Sequence, residues 1–410
     1  MATKAPIRPA PTRAALGAVL TATFFVRFAF GITLAIFAIY LAGRSTGLTG
    51  AEVAVAGSVS ALAPVGEFST VLFSGAAADR WGRFPVLFGG MGGSAILFVA
   101  ISRTRGVLPL AVATLVFGVA SGAILAASLA VIADHSATNV RGYEMGRFDA
   151  MNLFGWIAGY AFGIGVAGAL PNSQLDLVFL AGAAAILVGL LAGGALARGE
   201  LFRPGPPTFD FGRVLRNAFR STVLVVTLPW LAIYSLLGTA LVFLKPAATG
   251  LGIDPQYLAL AIAGGGAILV VSQPYFGRLA DRTGRTRMMT VGAAGFVLVL
   301  LCASLLARYG VSTPLLVGIG LGTALALAYG PAALAALADL ATEQGRATTM
   351  AIYSLTISLG MFLGLIASTA LYGRYGTVGL YPYFGAIAAV LVGLTALRWV
   401  EAARARIPVR

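Results

Sequence analysis

Polar residues in this chain gather in short clusters. Between the clusters run apolar blocks of about twenty residues or more, the length an α-helix needs to cross roughly 30 Å of hydrocarbon at 1.5 Å per residue. The blocks lie near 14–41, 50–74, 85–102, 108–133, 147–170, 176–198, 221–246, 255–276, 287–307, 313–338, 347–372 and 379–399. Twelve transmembrane helices are therefore expected. Strand-type alternation of apolar and polar residues is absent from the sequence, which argues against a membrane barrel. The first block is too long for a cleaved signal peptide and has no small-residue cleavage site before the next span, so it reads as an anchor.

Composition agrees with this pattern. Hydrophobic residues make up 59% of the 410 positions and charged residues 10%, whereas soluble domains are roughly half apolar. The net charge of +14 would suit a nucleic-acid partner if the basic residues were clustered on a surface, but they follow the membrane pattern instead. With both termini in the cytoplasm, the N-terminal tail (Lys4, Arg8, Arg13), the loops after even-numbered spans and the C-terminal tail (Arg398, Arg404, Arg406, Arg410) hold 21 of the 28 Lys/Arg. The opposite side holds Arg44, Arg103, Arg105, Lys245, Arg308 and Arg374, and Arg27 is left inside the membrane. Positive charge retained on the cytoplasmic side explains this distribution, and no nucleic acid is called for. The single cysteine, Cys302, lies in an apolar span, and the single histidine, His135, is far from it in sequence. That composition offers no multidentate site for zinc or haem iron, and no metal or other cofactor is expected.

One polar cluster occurs twice. Residues 75–83 read GAAADRWGR and residues 277–285 read GRLADRTGR. At an offset of 202, Gly75, Asp79, Arg80, Gly82 and Arg83 fall on Gly277, Asp281, Arg282, Gly284 and Arg285. At an offset of 205, Asp134, Arg141, Met145, Gly155 and Gly159 fall on Asp339, Arg346, Met350, Gly360 and Gly364. Two polar landmarks with nearly one offset indicate duplication of a six-span unit. The expected organisation is a first bundle over 1–198, a linker over 199–220 and a second bundle over 221–410. The linker opens with Pro204, Pro206 and Pro207 and continues with Phe211, Val214, Leu215 and Phe219 at helical spacing opposite Arg213, Arg216 and Arg220. That pattern suits either a helix lying on the membrane surface or a mobile basic loop.

The doubled G-x-x-x-D-R-x-G-R, in the loops after the second and eighth spans, resembles the signature of the major facilitator superfamily. The resemblance extends over the whole chain, because span number, central linker and half-repeat all agree. It implies an all-α membrane protein whose twelve transmembrane helices form two pseudo-symmetric six-helix bundles. It also implies that these motifs bridge the bundles on the cytoplasmic face while the site opens outward, and part when it opens inward. The residue types suit such a bridge. Gly75 and Gly277 admit a close helix, Asp79 and Asp281 can pair with a helix N-terminus and an arginine, and Gly82 and Gly284 suit a tight turn. By pseudo-symmetry Asp79 is expected near Arg346, and Asp281 near Arg141, with Asp134 and Asp339 completing two charge clusters.

Three charges fall within the apolar blocks and are candidates for coupling or substrate recognition. Arg27, in FFVRFAFG, lies about 20 Å from the cytoplasmic end of its span, and Glu67 about 12 Å from the end of the next. Glu67 is the expected partner of Arg27. An intramembrane ionisable residue implies function, and a carboxylate whose cationic partner moves during a cycle can exchange protons. Asp149, at the start of the fifth span, is the third. Asn152, Trp156, Tyr160, Tyr234, Gln273, Tyr329 and Tyr353 are polar or aromatic groups that could line a central cavity or pack in the core.

These features point to a secondary active transporter that moves a small organic solute, an amphiphilic drug-like compound or a metabolite, by alternating access with proton coupling. It would work as a monomer in a lipid bilayer, in the inner membrane of a prokaryote. Drug/proton antiporters of the superfamily carry a proline where Tyr160 stands and an arginine before the glycine at Gly118, and neither is present here, which weakens the efflux reading. The alternative is an uptake carrier for an organic anion with Arg27 as counter-charge. A non-transporting sensor would be expected to lose the gate motifs, and a membrane-embedded enzyme lacks a nucleophile and base.

Overall fold

Apolar blocks bounded by charges and glycines form helices here almost throughout. A computed structural model of the chain describes residues 13–42, 50–104, 107–171, 174–198, 211–250, 255–342 and 345–404. An N-terminal set comprises α1 (Arg13–Ala42), α2 (Gly50–Trp81), α3 (Arg83–Arg103), α4 (Val107–His135), α5 (Arg141–Ala169) and α6 (Asp176–Leu196). The short α7 (Phe211–Ala218) follows. The C-terminal set comprises α8 (Ser221–Gly250), α9 (Pro255–Thr283), α10 (Arg285–Tyr309), α11 (Thr313–Ala326), α12 (Tyr329–Leu340), α13 (Arg346–Tyr375) and α14 (Leu380–Arg404), with a 3₁₀ turn at Gly376–Gly379 before the last. The linker prolines Pro204, Pro206 and Pro207, and the charges Lys4, Arg8, Arg44, Arg105, Arg406 and Arg410, lie outside the described residues.

Among the described residues, ten stretches are long and apolar enough to cross a membrane, α11 and α12 counting as one. α5 and α9, each 29 residues long, are not among the ten. The first third of α5 carries Arg141, Glu144, Arg147 and Asp149, and the last turns of α9 carry Arg278, Asp281 and Arg282. Ten of the expected spans are thus supported among the described residues, and the other two fall on α5 and α9. The tenth expected span is broken into α11 and α12. Pro331 has no N–H to offer the carbonyl of Leu327, so the helix ladder is interrupted there.

Within the N-terminal set α1 packs on α5 and α6, α2 on α4, and α3 on α4 and α6; within the C-terminal set α8 packs on α13, and α10 on α11 and α14. The repeated glycines set one of these contacts in each set. A methyl group on Gly155 or Gly159 of α5 would lie 2.4 or 1.9 Å from the carbonyl oxygens of Phe24 or Phe28 in α1. One on Gly360 or Gly364 of α13 would lie 2.6 or 2.1 Å from those of Leu231 or Ser235 in α8. Only hydrogen fits at these four positions, and the backbones touch. Two larger contacts join the sets, α5 against α9 and α2 against α13. They bring the duplicated motifs to the same end of the molecule.

Candidate functional site

At the end of α2, Asp79 is fully buried. Its carboxylate accepts hydrogen bonds from the backbone N–H groups of Ala347 (3.0 Å) and Thr348 (2.9 Å) and from the Thr348 hydroxyl (2.7 Å). These donors belong to the first turn of α13, where unpaired N–H groups and the helix dipole favour an anion. Arg83 lies 2.7 Å from Asp79 and 3.3 Å from Asp134, and also donates to the Ala78 carbonyl at 2.7 Å. Arg346 closes the cluster on Asp134 at 2.5 Å. This first knot therefore spans both sets of helices.

The second knot repeats the plan with different particulars. Asp281 of α9 accepts from the N–H groups of Gly142 (2.9 Å) and Tyr143 (3.0 Å) at the start of α5. Arg285 lies 3.6 Å from Asp281 and 2.7 Å from Asp339, and donates to the Thr138 carbonyl at 2.9 Å. Arg141 pairs with Asp339 across the sets. Arg278 lies over the Tyr143 ring, 4.6 Å from its centroid, a cation–π contact between the sets. In both knots the chain turns at a glycine with positive φ, Gly82 at 104° and Gly284 at 100°, a conformation open to residues without a Cβ. That turn lets Arg83 and Arg285 fold back on the aspartates four residues earlier. Arg80 and Arg282 are exposed; they stand in the last turns of α2 and α9, where a cation suits the helix dipole.

Deeper along the same helices, the interior charges come together differently from the expected arrangement. Glu67 is buried, and its carboxylate accepts a hydrogen bond from the Ser354 hydroxyl of α13. Arg27 forms no ion pair with it. Its guanidinium instead stands 5.5 Å from the Phe30 ring centroid, and its side chain lines a cavity against α4. Glu67 is turned toward the C-terminal set and Arg27 toward α4, so equal depth along their helices did not make them partners. Asp149 is buried with its Oδ2 directed at Gly330, where a methyl group would approach it to 2.7 Å, and the Gln273 Oε1 and the edge of Trp230 converge on the same point. Asn152 Oδ1 and Gln273 Oε1 are buried without a hydrogen-bond partner among the described residues. Asp149 of α5, Trp230 of α8 and Gln273 of α9 thus meet at Gly330 of α12, and Glu67 of α2 meets Ser354 of α13, both of them contacts between the sets.

The aromatic candidates divide. Trp230 stacks edge-on against Tyr329 (5.1 Å between centroids) and Tyr353 (5.0 Å), and sits beside Tyr234. Tyr329 is buried with its hydroxyl on the Val226 carbonyl at 3.2 Å, so it belongs to the packing of the C-terminal set. Trp156 and Tyr160 stack on one another along α5 and are only half-buried. Sequence reasoning missed Thr348, Ser354 and Trp230. The position of Trp230 one helical turn before Tyr234 was the available signal; the two hydroxyls carry none by themselves.

The profile of the Major Facilitator Superfamily matches the chain twice, over residues 19–246 and 217–409. The chain belongs to the major facilitator superfamily. Similar solved structures include the human organic anion transporter MFSD10 (TETRAN), at TM-score 0.72 and 17% identity, over 94% of this chain and 100% of that one. The proton:xylose symporter XylE matches at TM-score 0.74 and 14% identity, over 94% of each chain. FucP in its outward conformation matches at TM-score 0.66 and 12% identity, over 94% of this chain and 99% of that one. No relative among curated proteins matches. At such identities the likeness is one of fold. As a superfamily member the chain is an integral membrane protein and a secondary transporter of small solutes, not an enzyme.

Proposed function

We propose that the chain is a proton-linked transporter of a small organic solute, working by alternating access, with residues 1–198 and 221–410 moving as two bodies joined by 199–220. The motif-bearing end is the cytoplasmic face in this reading, and both termini lie there. The observation that carries it is the bond from Ser354 of α13 to Glu67 of α2. A buried carboxylate is held by a partner on the opposite set of helices, so separating the sets changes its surroundings, as a coupling group of an alternating-access transporter requires. The solute would bind beside it, among Asp149, Gln273, Trp230, Tyr234 and Tyr353.

The test begins with a ligand thermal-shift screen of purified protein across drugs, sugars, amino acids and organic anions at two pH values. The best ligand then goes into proteoliposomes under an imposed pH gradient. Glu67→Gln is expected to abolish gradient-driven accumulation and to leave exchange between equilibrated sides. Loss of both would contradict the coupling role.

Arg27 supports a second reading, an organic anion carrier. It has no ion-pair partner among the described residues and is only part-buried; one similar structure is named as an organic anion transporter. Arg27→Lys keeps the charge and loses the planar fork. A sharp fall in ligand binding by that variant would favour the anion reading, and unchanged binding would remove it.

A further inference from the structure

Three carboxylates are buried among the described residues, Glu67, Asp79 and Asp149. Glu67 accepts from Ser354, and Asp79 takes three hydrogen bonds and the charge of Arg83. Asp149 has neither a hydrogen bond nor an ion pair among the described residues. What stands opposite it is another acceptor. Its Oδ2 and the Gln273 Oε1 lie 2.7 and 3.4 Å from the point that a methyl group on Gly330 would occupy. Gln273 is 4% exposed, and that oxygen also has no hydrogen-bond partner among the described residues.

This meeting joins the two sets, since Asp149 stands on α5 while Gln273 and Gly330 stand on α9 and α12. The offset of 205 that relates α5 to α13 puts Asp149 on Ser354. Each seam between the sets therefore carries a buried carboxylate facing a neutral partner. In the first seam the Ser354 hydroxyl supplies the hydrogen. In the second, two oxygens converge and neither has a hydrogen to give while Asp149 is ionised. Turning the Gln273 amide over would supply one N–H and still leave a negative charge buried without a cation, which is costly.

The neighbouring helices bring no counter-charge. Arg27 of α1 is turned toward α4. Arg278 of α9 lies over the Tyr143 ring, and Arg282 is exposed at the helix end. Asp281 and, on α12, Asp339 are held in the second knot by Arg285 and Arg141. On α4, Asp134 is held in the first knot and the His135 ring bonds to the Val131 carbonyl. Glu144 and Arg147 of α5 itself pair with one another. Tyr329, beside Gly330, is committed to the Val226 carbonyl, and Trp230 offers only a ring carbon. A proton on Asp149 removes the buried charge and turns one of the two facing oxygens into a donor.

The geometry points to Asp149 as a second proton-binding site, which holds its proton toward Gln273 while the sets are closed and releases it when they part. The inference rests on the reading that the sets separate at the motif-bearing end. Its sign follows: the proton is bound in the closed arrangement, so acid holds this seam shut, and closure is lost as rising pH ionises Asp149.

The tests use purified full-length protein without solute. Spin-echo distances between labels at Trp81 and Arg282, in a Cys302→Ala background, are expected to show a longer-distance population that grows with pH by at most about tenfold per pH unit, the limit for one proton. Asp149→Asn keeps a neutral group that donates to Gln273, so it should hold the short distance at every pH, while Glu67→Gln should keep the pH response. An unaltered pH response in Asp149→Asn would overturn the proposal. So would a longer population that Asp79→Asn enlarges and pH does not move, an outcome that leaves the parting of the sets standing. Infrared pH-difference spectra decide the matter even if Asp149→Asn fails to fold. Wild type and Glu67→Gln should both show a carboxylic-acid carbonyl band that persists above the pH at which exposed carboxylates ionise, and Gln273→Leu should shift it. Absence of that band from Glu67→Gln would refute the site.

Discussion

The two knots share a motif but depend on different physics. The first is centred on charge: Asp79 is fully buried and takes three hydrogen bonds from the start of α13. The second is centred on contact. Asp281 takes two, from Gly142 and Tyr143, and its own arginine stands farther off, at 3.6 Å against 2.7 Å. The backbones come closer there, however. A methyl group on Gly277 would meet the Gly142 carbonyl oxygen at 2.1 Å, whereas one on Gly75 would meet its nearest atom, the Thr348 Cα, at 2.8 Å. Duplication supplied the plan, and residues next to the motif set its strength: Thr348 in one copy, Tyr143 and Gly142 in the other.

The sharpest break in this comparison should come from glycine. Gly277→Ala is expected to force α5 and α9 apart and abolish closure at the second knot, whereas Gly75→Ala should be milder. Solute flux and crosslinking of cysteine pairs placed across α5 and α9 would check both. Closure that survives Gly277→Ala unchanged would remove the contact argument.

Charge should show the reverse order. Asp79→Asn weakens charge-assisted hydrogen bonds of about 1.5–3 kcal/mol each, enough to shift the closed state by tenfold or more. Asp281→Asn should shift it several-fold less. Expression and membrane insertion of both should stay near normal while flux falls, measured by quantitative blotting beside transport. Misinserted Asp79→Asn protein would mean that the knot serves folding.

Thr348→Val removes the hydroxyl that distinguishes the first knot and leaves both backbone donors in place. A loss of about 1 kcal/mol is expected, bringing the first knot toward the second. Combined with Asp79→Asn it should add little, because the two changes act on one interaction. Arg80→Gln and Arg282→Gln should be nearly silent in flux, since both side chains are exposed and interact with the helix dipole through solvent.

Much of this arrangement was legible in sequence because the motif is doubled and resembles that of a family in which it bridges the two bundles. The offsets near 202 and 205 made the two motif copies equivalent, and the resemblance to the superfamily implied that they bridge the bundles, which together placed Asp79 near Arg346 and Asp281 near Arg141. Span lengths were legible for the same reason that the blocks are apolar, but the break before α12 needed the effect of Pro331 on the ladder. The partner of Glu67 was not legible. Sequence depth gives height along the membrane, while the face a residue presents depends on how each helix is rotated against its neighbours, and Ser354 becomes a partner only once α2 lies on α13.

The central claim is that the two sets of helices are clasped at the motif-bearing end and must part there for transport. It is tested most directly by electron spin-echo distances between labels at the exposed positions Trp81 and Arg282, one on each set, in a Cys302→Ala background. The wild type should show a short distance with a minor, longer population, and Asp79→Asn should enlarge that longer population by tenfold or more, with Asp281→Asn between the two. A single distribution, unchanged by either substitution, would contradict the account.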